Sequence, residues 1–305
     1  MNVLIPKDRR LPQGLGAALP IPLNAQRNVD FPSLERILQR LGEASVDFIR
    51  LVNSEIGVRD GDAYIGMVSY VREILPKSTR IMESLPSTET RDVVRYCEMR
   101  SQHTTLAEPD GWMARPPLSR DVSVSGIIGH LRSVAESTDK PIVAVLTGLT
   151  LSGSARRQLI QALGEHPNIP AVLLSGSQAL AWPTHPELRL WVSGDTAILP
   201  MFAMGCNAVI SQLAVAFPKK LKKIAETANF GAWSESRTEL APLFHLMQHV
   251  EELPSPAGIK SVLSHLSLCE DHLRLPHTPI ATAEKDALYA ALAKLEFNQA
   301  VTEPL

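Results

Sequence analysis

The chain has 305 residues, a formal net charge of −2 and an apolar content of 45%. This balance excludes a molecule that is drawn as a whole to nucleic acid or to an anionic membrane surface. No uninterrupted apolar run reaches the roughly 20 residues that span a bilayer, and charged residues interrupt positions 1–14, where a signal peptide would have its apolar core. We therefore expect a cytoplasmic protein that contacts neither nucleic acid nor a membrane.

Cysteine and histidine spacing gives no sign of a metal or a disulfide. Cys97, Cys206 and Cys269 are far apart and odd in number, which favours reduced, buried thiols. His245 and His249 lie one helical turn apart in HLMQH, but no third ligand is evident near them. The sequence therefore predicts no metal site and no cofactor.

Short apolar segments alternate with longer amphipathic ones as far as residue 218. The predicted strands cover residues 14–22, 46–52, 79–85, 104–109, 141–148, 169–177, 188–194 and 207–214. The predicted helices cover residues 30–42, 63–75, 90–100, 123–137, 154–165 and 196–205, with a weak helical segment before the seventh strand. In the first helix the leucines and the isoleucine share one face, and Asp30 is placed to cap the amino terminus.

Eight strand–helix alternations predict an α/β fold. The strands are nearly continuous apolar runs, which is typical of a parallel sheet covered on both faces. Eight such units favour a closed (β/α)₈ TIM barrel over an open sheet. After residue 218 the pattern is only helical. We therefore predict a barrel over residues 1–218 and a C-terminal helical extension over residues 219–305, packed together as one structural unit.

The active site of such a barrel lies at the carboxyl ends of its strands. Polar or aromatic residues that follow the predicted strands are therefore candidates for the rim of a pocket. Each of them is also compatible with capping a helix or solvating a loop, and Asp195 and Thr196 suit the start of the following helix. The candidates are Ser54, Glu55, Glu83, Ser84, Glu108, Asp110, Trp112, Thr147, Ser175, Asp195 and Gln212, and the apolar Leu173 of the sixth strand is added as a further rim position.

Three stretches together resemble one known family. SGDTAILPMFAMGCNAVIS, at residues 193–211, is similar to the segment spanning the seventh and eighth strands of the dihydrodipicolinate synthase/N-acetylneuraminate lyase family. GLGAALPIPLNAQRNVDFPSLERIL resembles the first strand and helix of that family, and residues 255–280 resemble its late helical region. The resemblance covers nearly the whole chain and is thinnest in the middle.

The resemblance implies a (β/α)₈ barrel with a C-terminal helical extension, usually as a homotetramer, and class I aldolase chemistry. In that family a lysine ending the sixth strand forms a Schiff base with pyruvate or another 2-oxo acid. A tyrosine ending the fifth strand moves protons. A Gly-Thr-Thr-Gly-Glu turn after the second strand holds the carboxylate.

This sequence departs from the family pattern at each of those points. The position of the lysine falls on Leu173, and that of the tyrosine falls on Val145. The turn after the second strand reads VNSEIG and keeps a hydroxyl at Ser54. The family's Tyr-Tyr pair falls on Gly111–Trp112, and the threonine of the first strand falls on Ile21. Covalent catalysis needs its nucleophile and its proton carrier, so these departures predict that the imine mechanism is lost.

Three hypotheses follow. The favoured one is a pseudoenzyme of this family, a homo-oligomer of two or four copies, that binds a partner or a small molecule such as a carboxylate. The second is an enzyme with a rebuilt site that uses Glu55, Glu108, Asp110 and Asp195 for acid–base work without an imine. The third is a lyase or synthase that still acts on a 2-oxo acid such as pyruvate through another lysine.

Overall fold

Eight parallel strands close into a barrel in the part of the chain that the structure, a computed structural model, describes: residues 11–52, 61–102 and 107–302. Each strand pairs with its neighbours in sequence, and β1 pairs with β8. The strands are β1 Gly14–Leu19, β2 Phe48–Leu51, β3 Arg80–Ser84, β4 Gly111–Ala114, β5 Ile142–Val145, β6 Ala171–Ser175, β7 Arg189–Ser193 and β8 Ala208–Ser211. The predicted TIM barrel is confirmed.

Helices follow the strands around the outside of the barrel and continue beyond it. Those of the barrel are α1 Phe31–Glu43, α2 Gly61–Ile74, α3 Thr90–Gln102, α4 Val124–Glu136, α5 Gly153–Gly164, α6 Gly176–Ala179, α7 Ile198–Ala203 and α8 Pro218–Asn229. A 3₁₀ turn, Leu213–Val215, precedes α8. The C-terminal helices are α9 Trp233–Leu240, α10 Phe244–Glu252, α11 Ala257–His265 and α12 Thr282–Thr302, with a 3₁₀ turn at Ala241–Leu243.

A single apolar cluster joins the barrel helices to the C-terminal extension. It contains Leu34 of α1, Ile198 of α7, Ile259 of α11 and Leu288 of α12, each at most 2% exposed. Asp30 caps α1 as predicted, because its carboxylate accepts hydrogen bonds from the backbone N and the hydroxyl of Ser33. No helix in the described residues is long and apolar enough to cross a membrane.

The fourth strand lies later in the chain than the sequence predicted. Of the predicted strand at residues 104–109, residues 107–109 are not in a strand and residues 104–106 lie outside the described residues, whereas residues 111–114 form β4. Asp110 is fixed next to the amino end of β3. Its backbone N donates to the carbonyl of Ile81, and its carboxylate binds Arg72 and Arg80. The chain can therefore enter the barrel only at Gly111, which passes close to the carbonyl of Pro141.

The inside of the barrel is filled by side chains rather than by solvent. Phe48 of β2 lies against Trp191 of β7, with 4.7 Å between ring centroids. Gly16 of β1 pairs in register with Phe48, and a Cβ at that glycine would lie 2.3 Å from the Phe48 ring. The lower part of the barrel is therefore closed, and open space remains only towards the carboxyl ends of the strands.

We expect Gly16→Ala to lower the free energy of unfolding by about 1–3 kcal/mol, because the added methyl group overpacks the barrel interior. Urea unfolding measures the change. Gly129→Ala in α4, where a Cβ meets nothing within 4 Å, is the matched control and should stabilise the protein by about 0.5–1 kcal/mol. Phe48→Leu should offset part of the Gly16→Ala effect; strictly additive effects would contradict the contact.

Candidate functional site

The carboxyl ends of the eight strands form the barrel mouth, where enzymes and binding proteins of this fold place their sites. Alternation along each strand decides which side chains face inward. Phe48 faces inward on β2, so Arg50 also does, and Met82 on β3 likewise brings Ser84 to the interior. The inward position of a charged residue is unusual in a barrel filled by apolar side chains.

Two arginines meet at the mouth. The Nε of Arg50 donates to the hydroxyl of Ser84 at 3.0 Å. Arg115 follows β4 directly, and its Nη1 donates to the carbonyl of Thr147 at 3.1 Å. Burial lowers the pKa of Arg50 to about 10, and the positive charge of Arg115 adds to that shift. Burial also lowers the pKa of Arg115.

Neither arginine forms a salt bridge with a carboxylate among the residues that the structure describes. Other arginines of the protein do have a carboxylate partner. Arg72 and Arg80 share Asp110, and Arg100 lies 3.7 Å from Glu83. A desolvated cation without a counter-charge costs folding free energy, so the mouth is an electropositive site that favours anions.

The two guanidinium groups line a cavity of about 330 Å³ at the mouth. Hydroxyl groups and apolar side chains complete the part of its wall that the structure describes. The described lining is Arg50, Ser84–Thr88, Met113, Arg115 and Val145. This lining contains no lysine, histidine, cysteine, tyrosine or carboxylate, so it supports the binding of an anion better than it supports proton transfer.

Leu173 and Val145 are neighbours in the register of β5 and β6 and are at most 1% exposed. Both pack in the apolar interior of the barrel, and Val145 also lines the cavity, whereas Leu173 is not part of the described lining. Ser175, at the end of β6, caps α6, and its backbone N donates to the side chain of Gln178. Thr147 reaches the site through its carbonyl, which accepts from Arg115.

Asp195 lies beyond the end of β7 but faces the backbone rather than the cavity. It is fully buried, and its carboxylate accepts hydrogen bonds from the hydroxyl of Ser211, the backbone N of Gln212 and the backbone N of Leu213. These bonds tie the turn after β7 to the turn after β8. The prediction that Asp195 and Thr196 cap the following helix is wrong, because α7 begins after Ala197 without a side-chain cap.

Glu108, Asp110 and Trp112 do not reach the mouth, and their prediction as rim residues is wrong. Because β4 begins at Gly111, both carboxylates lie at the amino ends of the strands, where Glu108 pairs with Lys140 at 2.6 Å. Trp112 faces the surrounding helices, and its Nε1 donates to the hydroxyl of Thr138 at 3.3 Å.

Two of the remaining rim predictions, Ser54 and Glu55, lie outside the described residues. Glu83 lies on the helix side of β3, where it accepts a 2.6 Å hydrogen bond from the hydroxyl of Tyr96. Ser84 reaches the cavity as predicted. Sequence reasoning missed Arg50 and Arg115; the available signal was a charged residue inside an apolar strand, at the same face as Phe48.

No group of three or more histidine, cysteine, aspartate or glutamate side chains in the described part of the chain is arranged to hold a metal ion.

The comparisons with known proteins place the chain in one family. The sequence profile of the Dihydrodipicolinate synthetase family matches residues 11–295. The chain belongs to that family. Proteins named 4-hydroxy-tetrahydrodipicolinate synthase are similar to it. That of Leuconostoc citreum (strain KM20) is 22% identical over 279 residues, which are 89% of this chain and 94% of that protein. That of Idiomarina loihiensis is 28% identical over 294 residues, which are 92% of this chain and 96% of that protein.

Solved structures of the family share the fold. The 4-hydroxy-tetrahydrodipicolinate synthase from Methylacidiphilum fumariolicum SolV superposes with a TM-score of 0.79 at 21% identity, over 94% of this chain and 97% of that one. A protein described as the first monomeric dihydrodipicolinate synthase variant gives a TM-score of 0.79 at 17% identity, over 93% of this chain and 97% of that one. At these identities the likeness to solved structures shows the fold alone.

We expect Arg50→Met to raise the free energy of unfolding of this family member by about 1 kcal/mol, because it removes a desolvated positive charge that faces another one. Urea unfolding in a buffer of low anion affinity measures the change. Arg120→Met, at an exposed arginine in the loop after β4, is the control and should alter stability by less than about 0.5 kcal/mol. A less stable Arg50→Met protein would contradict the uncompensated charge.

We expect Asp195→Asn to change how stability depends on pH. Burial raises the pKa of Asp195 to about 7, and the charge of Glu251 adds to the shift. Between the unfolded pKa of about 4 and this value, the unfolded chain releases the proton while the folded protein keeps it. The wild type should therefore lose stability relative to the variant as the pH rises from 5 to 8, by about 1 kcal/mol or more.

Urea unfolding at four pH values from 5 to 8 gives this difference, with Asp121→Asn, at an exposed aspartate, as the control. A constant pH-independent loss in Asp195→Asn is expected in addition, because an amide cannot accept all the hydrogen bonds of the carboxylate. If the wild type instead gained stability relative to Asp195→Asn as the pH rises, the folded protein would stabilise the ionised form of Asp195, and the prediction would be wrong.

Proposed function

We propose that this chain is a divergent member of the dihydrodipicolinate synthetase family that has lost Schiff-base aldolase chemistry and binds a small molecule at the C-terminal face of its barrel. The observation that carries the proposal is the hydrocarbon pair Leu173 and Val145. They lie in register on β6 and β5, at the positions where the family resemblance implies a lysine and a tyrosine. An imine needs an amine at that position, and a leucine cannot supply one.

The positions of the lysines support the same proposal. None of those in the described residues lines the cavity at the mouth. Lys140 pairs with Glu108 at the amino ends of the strands, and Lys222 pairs with Asp47. Lys260 is buried in α11, where its Nζ donates to the carbonyl of His272. Each of these amines is engaged away from the mouth.

The rebuilt acid–base enzyme is less well supported. It would use carboxylates at the mouth, yet Glu108 and Asp110 lie at the other end of the barrel in salt bridges, and Glu55 lies outside the described residues. Asp195 is fully buried and bonds the backbone of the next turn. A role in binding therefore agrees better with the geometry of the site than acid–base catalysis does.

The competing candidate is a lyase or synthase that acts on a 2-oxo acid such as pyruvate. The names of the relatives favour it, since they are 4-hydroxy-tetrahydrodipicolinate synthases. It requires a lysine that reaches the mouth from outside the described residues or through a rearrangement of the barrel.

The proposal also includes a cytoplasmic location, which the sequence composition predicts, and a homo-oligomer of two or four copies, which the family resemblance implies. One of the matched structures is described as the first monomeric dihydrodipicolinate synthase variant, so the oligomeric state of this chain has to be measured. Light scattering of the full chain measures it directly.

We expect borohydride trapping with pyruvate and other 2-oxo acids to give no adduct on this protein, because no lysine in the described part of the chain lines the cavity at the mouth. Intact-protein mass spectrometry is the readout. The synthase of Idiomarina loihiensis, treated in parallel, serves as the control for the reagents. A reduced adduct mapped to a lysine of this chain would restore the lyase or synthase assignment.

A further inference from the structure

We propose that Arg50 and Arg115 form a binding site for a small organic dianion on the side of the mouth formed by β2–β5. This inference deepens the proposed function, and rests on it, by naming the chemical class of the ligand. A dicarboxylate and a phosphate monoester share the chemistry required, which is oxyanion acceptors carrying two negative charges.

The charge at the site calls for such a ligand. Two guanidinium groups line one cavity, and no described carboxylate forms a salt bridge with either of them. One anionic group would leave a net positive charge in the cavity, whereas two would neutralise it. Desolvated charges of like sign raise the free energy of the empty protein, so a dianion gains affinity by relieving that repulsion.

The protein holds both arginines in place with few of their hydrogen-bond donors, so other donors are available to a ligand. A guanidinium carries five N–H donors. In the contacts described, Arg50 uses its Nε on the hydroxyl of Ser84, and Arg115 uses one Nη1 donor on the carbonyl of Thr147. Each guanidinium thus keeps donors for a bidentate contact with a carboxylate or phosphate.

The loop between β3 and α3 adds neutral donors to the same wall. Ser87 and Thr88 line the cavity with their neighbour Ser84, and α3 begins at Thr90 with its amino terminus at the end of this loop. Hydroxyl groups supply hydrogen bonds to oxyanions without adding charge, and the helix dipole favours negative charge here. These contacts support the arginine pair and are not a site by themselves.

The size and the apolar part of the wall limit the ligand. The cavity of about 330 Å³ is at the lower end of the range for small-molecule sites. Leu85, Pro86, Met113 and Val145 offer hydrocarbon contacts to the body of the ligand. A short carbon chain that carries two anionic groups matches this combination.

The proposed site borders the place where the family resemblance puts the imine, because Val145, at the position of the family's tyrosine, lines the cavity. Leu173 is fully buried and is not part of the described lining. The positive charges come from β2 and from the residue after β4. The ligand would therefore bind on the side of the mouth that runs from β2 to β5, next to the end of β6.

Isothermal titration calorimetry on the full chain tests the proposal with succinate, inorganic phosphate and acetate. We expect at least one of the two dianions to bind, and acetate to bind at least tenfold more weakly. Arg50→Met and Arg115→Met should each weaken binding at least tenfold, and Arg50→Lys should weaken it less than Arg50→Met. Arg120→Met should leave affinity within twofold. The dianion that binds more tightly distinguishes a carboxylate ligand from a phosphate ligand.

Thermal unfolding of each variant shows whether the barrel is intact, and Arg50→Lys keeps the test valid if one methionine variant does not fold. The proposal is overturned if neither dianion binds the wild type, or if binding survives both arginine substitutions. Borohydride trapping tests the proposed function separately from the anion site. An imine adduct together with arginine-dependent dianion binding would reject the proposed loss of aldolase chemistry and support the anion site. No adduct together with no dianion binding would support the loss of aldolase chemistry and reject the anion site.

Discussion

The contact between Phe48 and Trp191 is the constraint on which the rest of the barrel depends. The two rings, 4.7 Å apart, fill the interior between β2 and β7 and require a glycine at position 16. With the interior filled, no ligand can enter the lower barrel, and any site must be built from the last inward residues of the strands and the loops after them. The positions of Arg50 and Ser84 above this level are a direct consequence of strand alternation, and so is the hydrocarbon floor formed by Val145 and Met113.

Sequence periodicity was sufficient to predict the barrel because buried parallel strands and amphipathic helices leave strong patterns. It failed at the fourth strand for a physical reason. Asp110 binds Arg72 and Arg80 at the amino ends of β3 and β4, and this long-range contact helps to set where β4 begins. No local pattern reports a pairing across 38 positions in the chain. The error then carried Glu108 and Trp112 to the wrong end of the barrel.

The site was harder to predict than the fold because polarity after a strand does not tell where a side chain points. Ser84 reaches the cavity, whereas Asp195 faces the backbone N atoms of Gln212 and Leu213. The Ser-Gly-Asp turn thus holds the ends of β7 and β8 together, which is a structural role that needs no ligand. Arg50 was not predicted because it lies inside an apolar strand, where a single charged residue looks like a break in the apolar pattern rather than a site residue.

Some arginines of this protein pair with carboxylates, whereas the two arginines at the mouth bond neutral groups. Arg100 lies between β3 and α3 with Glu83, which also accepts from Tyr96. Such groups neutralise each other and hold neighbouring elements together. Arg50 and Arg115 bond only a neutral hydroxyl and a carbonyl in the contacts described, and they repel one another. A fold gains no stability from two partly buried charges of the same sign placed together, and the proposed anion would supply the counter-charge that the described residues do not.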